Sequence, residues 1–397
     1  MKKNSLFIDF IFLITLLIIK IIKIFIPLRL NRSYSSRLGH FVGINTLYIY
    51  KKNRNYFDFF ILDKEISSTE LYFFLKNKIF FIPKIFSTFF HKILNTNLKY
   101  KLIKNFSFHY DENFNLKREI FECRDRLNLI DKTNIKFDYN EEKAKNIIHK
   151  NKIKFNTKKI ICIQIRDKGY LNKNFQNYND HKLVNVNISK YTKTIKKLIS
   201  LGYTVVRVGK DHENFLQYQN KNYIDLHKNG QWNSELELFL IYKCIFFIGT
   251  HSGGSMIPIY LFKKPTLLTN FLPIGKLFSY SKNTMFIPKK LKIKNKLLNL
   301  NEIFNKNLSI FEEKNNLKKN KVKILDNSSQ EIYLATLDML NFLKDKKNFI
   351  KKNNKQLLKF KKNFKKYVSE DKLLTYHGKI NANISPAFLK KNKFFLC

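Results

Sequence analysis

Glycine and proline are scarce in this 397-residue chain, at 11 and 7 residues, and there are only four cysteines. So little Gly and Pro excludes a collagen-like or low-complexity chain. Cys123, Cys162, Cys244 and Cys397 form no C-x-x-C pair and have no His at zinc-ligand spacing, which excludes a disulfide-stapled scaffold and leaves no metal ligand to assign. Cys162 and Cys244 lie inside apolar runs, the setting of small core residues in a reducing compartment. Acidic residues are also few, 30 against 75 Lys plus Arg, for a formal charge of +45. A field of that sign attracts polyanions. Arginine, the forked donor that base recognition uses most, supplies only 9 of the 75 cations, which argues against nucleic-acid binding as the main function. The crowding of Lys with Asn, Ile, Phe and Tyr marks A/T-rich codon usage, and much of the charge follows from it. An anionic membrane surface remains a fitting partner.

What is abundant is apolar side chain, 44% of residues, with 15% aromatic. At roughly 100–200 residues per domain the length predicts two cores. Ser5 to Pro27 is apolar except for Asp9, Lys20 and Lys23. Its clean stretch, Phe10 to Ile19, is too short for a span of about 20 residues, and no small-residue cleavage site follows it. The segment, 1–28, reads as an amphipathic anchor on the inner face of the membrane, with Lys20 and Lys23 snorkelling. The alternative is a buried first helix of the N-terminal domain. A cytoplasmic, peripheral protein is expected.

From Arg37 a Gly-containing turn, a helix-like stretch and the apolar run YFDFFIL make an α/β opening, and the first domain is placed at 29–150. Asn140 to Lys158 looks like a solvated linker or surface helix. Next come a strand at Ile160–Ile165, a helix at Tyr191–Leu201 stopped by Gly202, and the strand YTVVRVG, the βαβ grammar of a buried parallel sheet. The pattern repeats with a helix at Glu235–Lys243, a strand at Cys244–Ile248, a Gly/Ser turn at 249–255, a helix at Met256–Phe262 and a strand at Pro265–Thr269. A second domain is placed at 151–345, including a helix at Ser329–Leu343 opened by Asp326 to Ser329, and a basic tail with helical segments at 346–397. The fold class is α/β: two Rossmann-like domains facing a cleft, preceded by an apolar helix. Ligands of such sheets bind beyond the carboxyl ends of the strands, so the residues that follow each strand carry the interest.

Gly249, Thr250, His251, Ser252, Gly253 and Gly254 form a Gly- and hydroxyl-rich turn after the strand CIFFI, where free N–H groups and a helix N-terminus suit a phosphate. The plainer alternative is a tight strand-to-helix turn capped by Ser252. Arg166 and Lys168, in the sequence RDKGY after another strand, suit a diphosphate leaving group without a metal, against which stands a local Arg166–Asp167 pair. In the first domain Gly39 allows close backbone approach. Arg37 and His40 flank it, His40 being of the type that serves as a general base near neutral pH. Arg207, Glu235 and Glu237 are candidates for the same cleft, a carboxylate there accepting from ribose hydroxyls.

Taken together, RLGHF at 37–41, ICIQIRDKGY at 161–170, ISLGYTVVRVG at 199–209, LELFLIYKCIFFIGTHSG at 236–253, KPTLLTNFLP with FIPK at 264–289 and DNSSQEI at 326–332 resemble a bacterial family of glycosyltransferases associated with surface polysaccharide synthesis. More loosely they resemble fucosyltransferase-like enzymes of GT-B architecture. The resemblance implies a metal-independent glycosyltransferase whose nucleotide-sugar donor is a substrate, no cofactor being needed. The donor would sit on the second domain, its diphosphate on Arg166 and the 250–254 turn. A saccharide or lipid-linked acceptor would sit on the first, with Arg37 and His40. His251 departs from the small or hydroxyl residue expected there. A pyruvyl or other group transferase acting on the same polysaccharides, and a non-catalytic basic protein binding membrane or nucleic acid, remain as alternatives.

Overall fold

A computed structural model of the chain describes residues 2–52, 55–117, 131, 141–150, 159–169, 183–279, 281–309, 314–370 and 380–396. Cys123, Tyr170 and Cys397 lie outside these residues. The chain divides into two compact units, Met1–Leu129 and Ile130–Cys397. The division falls well before the expected boundary at 150, because the helix Glu141–Lys150 packs on the helix Ser234–Lys243 of the second unit. Glu141 there accepts from Lys243 Nζ at 2.5 Å.

The first unit holds a parallel sheet in the order β1-β2-β3, with β1 Leu28–Arg32, β2 Phe57–Ile61 and β3 Phe80–Phe81. Among the described residues four α-helices accompany it: α1 Lys2–Phe25, α2 Leu38–Lys51, α3 Thr69–Leu75 and α4 Ser87–Tyr100. Phe12 and Leu16 of α1 join Leu30, Ile61, Ile93, Leu94 and Phe106 in one apolar cluster. The first helix is therefore part of this unit's core along one face, while Phe10, Leu17, Ile21 and Phe25 on the opposite face are exposed. Lys23 does not snorkel: its Nζ donates to the carbonyls of Lys104 and Asn105 at 2.6 and 3.0 Å, because these are unfilled acceptors within its reach. Across β1 and β2 the in-register pair Arg29 and Asp58 forms a bidentate bridge, both bonds 2.7 Å. Asn31 and the Tyr48 hydroxyl also donate to Asp58, so the buried carboxylate is fully met, as a buried charge must be.

The second unit is built on a seven-stranded sheet in the order β13-β9-β8-β7-β4-β5-β6. Every neighbouring pair in it is parallel. These strands are β4 Ile160–Gln164, β5 Thr204–Arg207, β6 Tyr223–Asp225, β7 Phe246–Thr250, β8 Thr266–Phe271, β9 Thr284–Pro288 and β13 Asn383–Ile384. β5, β7, β8 and β9 are buried at every residue, which is why their apolar residues stand consecutively, as Val205-Val206, Phe246 to Ile248, Leu267-Leu268 and Met285 to Ile287, rather than alternating. Cys162 and Cys244 are buried among them. Cys244 ends the preceding helix instead of starting a strand, its N–H bonding to Leu240 O, and β7 starts at Phe246.

A small antiparallel sheet, β11-β10-β12, is formed by β10 Lys290–Ile293, β11 Lys296–Leu297 and β12 Val322–Leu325. After β12 the helix Ser329–Lys344 opens with a full capping box between Ser328 and Glu331. The residues placed in a basic tail belong to this unit. The helix Lys346–Glu370 buries Phe349, Leu357, Phe360 and Phe364, and β13 closes one edge of the large sheet.

Candidate functional site

The strand order locates the crevice of the second unit. β4 precedes the other sheet strands in the chain but lies inside the sheet: β5 and β6 extend from one side of it, and β7, β8 and β9 from the other. The direction of winding reverses between β4 and β7, and ligands of open parallel sheets bind outside the carboxyl ends of the strands at such a reversal. The residues that follow β4 and β7 are Arg166 to Lys168 and His251 to Gly254, two elements far apart in sequence. The Arg166 N–H donates to Thr250 Oγ1 at 3.0 Å, which ties them together.

Gln164, the last residue of β4, pairs in register with Gly249. Its amide sits between two glycine turns. A Cβ built on Gly254 would lie 2.1 Å from Gln164 Oε1, and one on Gly209 would lie 3.2 Å from its Nε2. Gly209 also has φ +98°, a conformation glycine adopts without cost. Among the described residues, Gln164 Oε1 and Ser252 Oγ are buried without a hydrogen-bond partner, which leaves an acceptor and a hydroxyl unused at this point. Ser252 therefore does not cap the next segment. Instead Ser255 Oγ donates to the Ser252 carbonyl at 2.7 Å. That segment, Ile257–Leu261, is a single π-helical turn rather than the α-helix expected at Met256–Phe262. Pro258 near its start has no N–H for a tight ladder. One wide turn gives a small dipole, so a helix N-terminus contributes little toward an anion here.

Thr250 is fully buried and acts as the cross-link to Arg166. His251 places Nδ1 2.8 Å from the Leu272 carbonyl. A carbonyl only accepts, so Nδ1 carries a proton in this contact. Arg166 is half-buried and Lys168 exposed beside it. Glu235 is half-exposed in the first turn of Ser234–Lys243, where its N–H is held by the Asn233 side chain at 2.9 Å.

Arg207 is not a ligand group. It is 1% exposed, and its Nη1 donates to Asn214 O and to Asp225 at 2.7 and 3.0 Å. Asp167 lies 3.6 Å from the same guanidinium and accepts the N–H groups of Gly169, Glu213 and Asn214. This buried network fastens the loop after β4 to the loop after β5. A strand-end arginine in sequence does not reveal whether it points outward or, as here, bridges two buried aspartates. His212 joins the network with Nε2 3.2 Å from Val208 O. Burial first, then the Arg207 charge, lowers its pKa to about 4, so the ring is neutral at physiological pH. Glu237 accepts from Trp232 Nε1 at 2.7 Å. Burial raises its carboxyl to about 6 against the opposing effects of Trp232, the Gly209 N–H and Lys210.

In the first unit Arg37 is the residue before α2, and Gly39 and His40 fall in its first turn, all three half-buried. They follow β1, so they too lie at a sheet's carboxyl edge. Sequence reasoning missed the group that sets this edge in place. Asp63, two residues past β2, accepts the Ser36 N–H and hydroxyl at 3.0 and 2.8 Å and Arg32 Nε at 3.0 Å. Burial acts to raise the Asp63 carboxyl, but the Ser36 donors and Arg32 together hold it below the ordinary value. His91 Nε2 lies 3.8 Å from it. The signal was present as an Asp immediately after the run FDFFIL. The His40 ring faces Tyr34 at 6.2 Å, and Tyr34 meets the buried His109 edge-on at 5.5 Å.

No protein-family model matches the chain, and neither does any curated protein sequence. Among solved structures it is similar to the ADP-heptose LPS heptosyltransferase II of E. coli, at a TM-score of 0.39 and 12% identity, over 68% of this chain and 91% of that one.

Proposed function

We propose that the protein is a glycosyltransferase that moves a sugar from a nucleotide-sugar donor to a saccharide or lipid-linked acceptor in surface polysaccharide synthesis. The observation that carries this reading is the tie between the Arg166 and 249–254 elements at the winding reversal of the large sheet. A cation and a Gly/Ser turn at that point suit a nucleoside diphosphate. The sequence resemblance of the same segments supplies the reaction class.

In the reaction an acceptor hydroxyl attacks the anomeric carbon, and the bond from that carbon to the diphosphate oxygen breaks. The charge gathering on the diphosphate is held by Arg166 and by hydrogen-bond donors of the turn. The hydroxyl proton passes to a general base, the role assigned to His40. Arg37, Gly39 and His40 are assigned to the acceptor, and Lys168, Glu235 and the 249–254 turn to the donor.

The test is the thermal stability of the full chain against a panel of nucleoside diphosphates and nucleotide sugars. A ligand at about 100 times its Kd adds roughly 2.7 kcal/mol, so one nucleotide is expected to raise the midpoint selectively. Arg166→Ala is expected to abolish that shift and, in a transfer assay with the responding donor, to lower turnover about 10²–10³-fold with folding intact. A panel with no response favours a pyruvyl or other group transferase. Normal turnover in Arg166→Ala removes Arg166 from the reaction.

A further inference from the structure

We propose that the outer face of α1 seats the first unit on an anionic lipid bilayer, with the helix lying in the plane of the membrane. The inference rests on how the fold divides the helix and is independent of the transferase reading. At about 100° per residue, Phe12, Leu16, Ile19 and Lys23 fall on one side of α1, where all four are buried or half-buried against the unit. Phe10, Ile14, Leu17, Ile21, Ile24 and Phe25 fall on the other, 43–81% exposed, with no polar side chain among them. Isolated exposed apolar residues are ordinary on a soluble surface, but a continuous stripe of them marks an interaction site. On α4, Phe89 packs 5.5 Å from the Phe12 ring at the buried side of α1 and is itself 42% exposed. Ile85 and Phe86 just before α4 are exposed as well.

The helix is a fixed part of the unit. Lys23 is bonded to the Lys104 and Asn105 carbonyls at one end, and Asp9 to Lys99 and Tyr100 at the other. The apolar face is therefore presented already ordered, and little conformational entropy is lost on docking. The 24 residues of α1 extend about 36 Å at 1.5 Å per residue. Among the described residues no helix is long and apolar enough to cross a membrane, so the geometry is that of a helix buried to the headgroup boundary.

Charge selects the occupant. From Phe10 to Pro27 and from Lys84 to Phe106 the sequence has no acidic residue, and Lys20, Lys84 and Lys92 are exposed beside the stripe. Anionic lipid complements that pattern. A second copy would bring like charges together.

The experiment is flotation of the full chain with vesicles of phosphatidylcholine alone and of equimolar phosphatidylcholine and phosphatidylglycerol. The chain is expected to float with the anionic vesicles, and the double substitution Leu17→Glu, Ile21→Glu to weaken binding about tenfold or more. Both positions face outward at 54% and 61% exposure, so the melting curve should not change. Ile24→Glu, at 76% exposure, is a second variant that should also weaken binding without unfolding the chain. Nucleotide-dependent thermal shifts should survive in all of them. Failure of the chain to float, or a double variant that binds as well as the parent, overturns the proposal. So does a dimer that dissociates on the same substitutions while neither protein binds vesicles, which assigns the face to a second copy.

Discussion

Glu237 joins the helix Ser234–Lys243 to the loops beyond β5 through Trp232 and the Gly209 N–H. Its carboxyl is raised from 4.5 to about 6, chiefly by burial. Below pH 4.5 the folded and unfolded chains both hold the proton, and between 4.5 and about 6 only the folded chain does. Stability from this group therefore falls as pH rises through that window, by about 2 kcal/mol in all. Urea unfolding of the parent and of Glu237→Gln across the window should show the parent losing that amount relative to the variant. A pH-independent difference would mean that the carboxyl is not perturbed in the fold. Both Glu237 and Arg207 stood out in the sequence as cleft candidates, but their buried roles did not, because what sets both is the set of groups that surround them after folding.

At the scale of elements, the helix Ser329–Lys344 is positioned through its entrance. Asn270 leaves the β8 ladder at a register shift with φ +52°, a conformation asparagine tolerates better than most residues. It exchanges two bonds with Asn327, N–H to Oδ1 at 2.6 and 2.7 Å, while Asn327 Nδ2 donates to Pro288 O at 2.8 Å. Asp326 beside it binds Lys190 and Lys289. The segment DNSS is thus a junction between strand ends and a helix as well as a cap. Asn327→Ala leaves buried groups of Asn270 and Pro288 unmatched and should cost about 3 kcal/mol, whereas Ser328→Ala, losing the cap, should cost about 1 kcal/mol. Chemical denaturation of the two variants tests the order, and equal costs would reduce the junction to an ordinary cap. The helix was legible from its capping pattern and apolar spacing; the Asn270 partnership was not, since it joins residues far apart in the chain.

For the whole molecule the dominant property is a formal charge of +45. Self-repulsion of such a field opposes compaction and is screened by salt. Adding sodium chloride to about 0.1 M, where the screening length is about 10 Å, should raise the melting midpoint, by roughly 1 °C for each 1 kcal/mol of repulsion relieved in a chain of this length. A midpoint that falls with salt would mean that ion pairs such as Arg29–Asp58 and Lys289–Asp326 outweigh the repulsion. Burial shields these pairs from the solvent, which is the reason for expecting the opposite.

The apolar runs and the breaks between them determined the parallel α/β sheet of the second unit and the importance of residues following its strands, because burial on both faces of a sheet writes itself into consecutive residues. Only the tertiary structure decided that β4 and β7 meet at a winding reversal and that Gln164 fills the space between two glycine turns. It likewise decided that Arg207 is held inside by aspartates, that Asp63 anchors the edge before α2, and that α1 divides into a packed face and a bare one. Each of these depends on pairings between distant residues, and a linear pattern records which residues avoid water but not which of them meet.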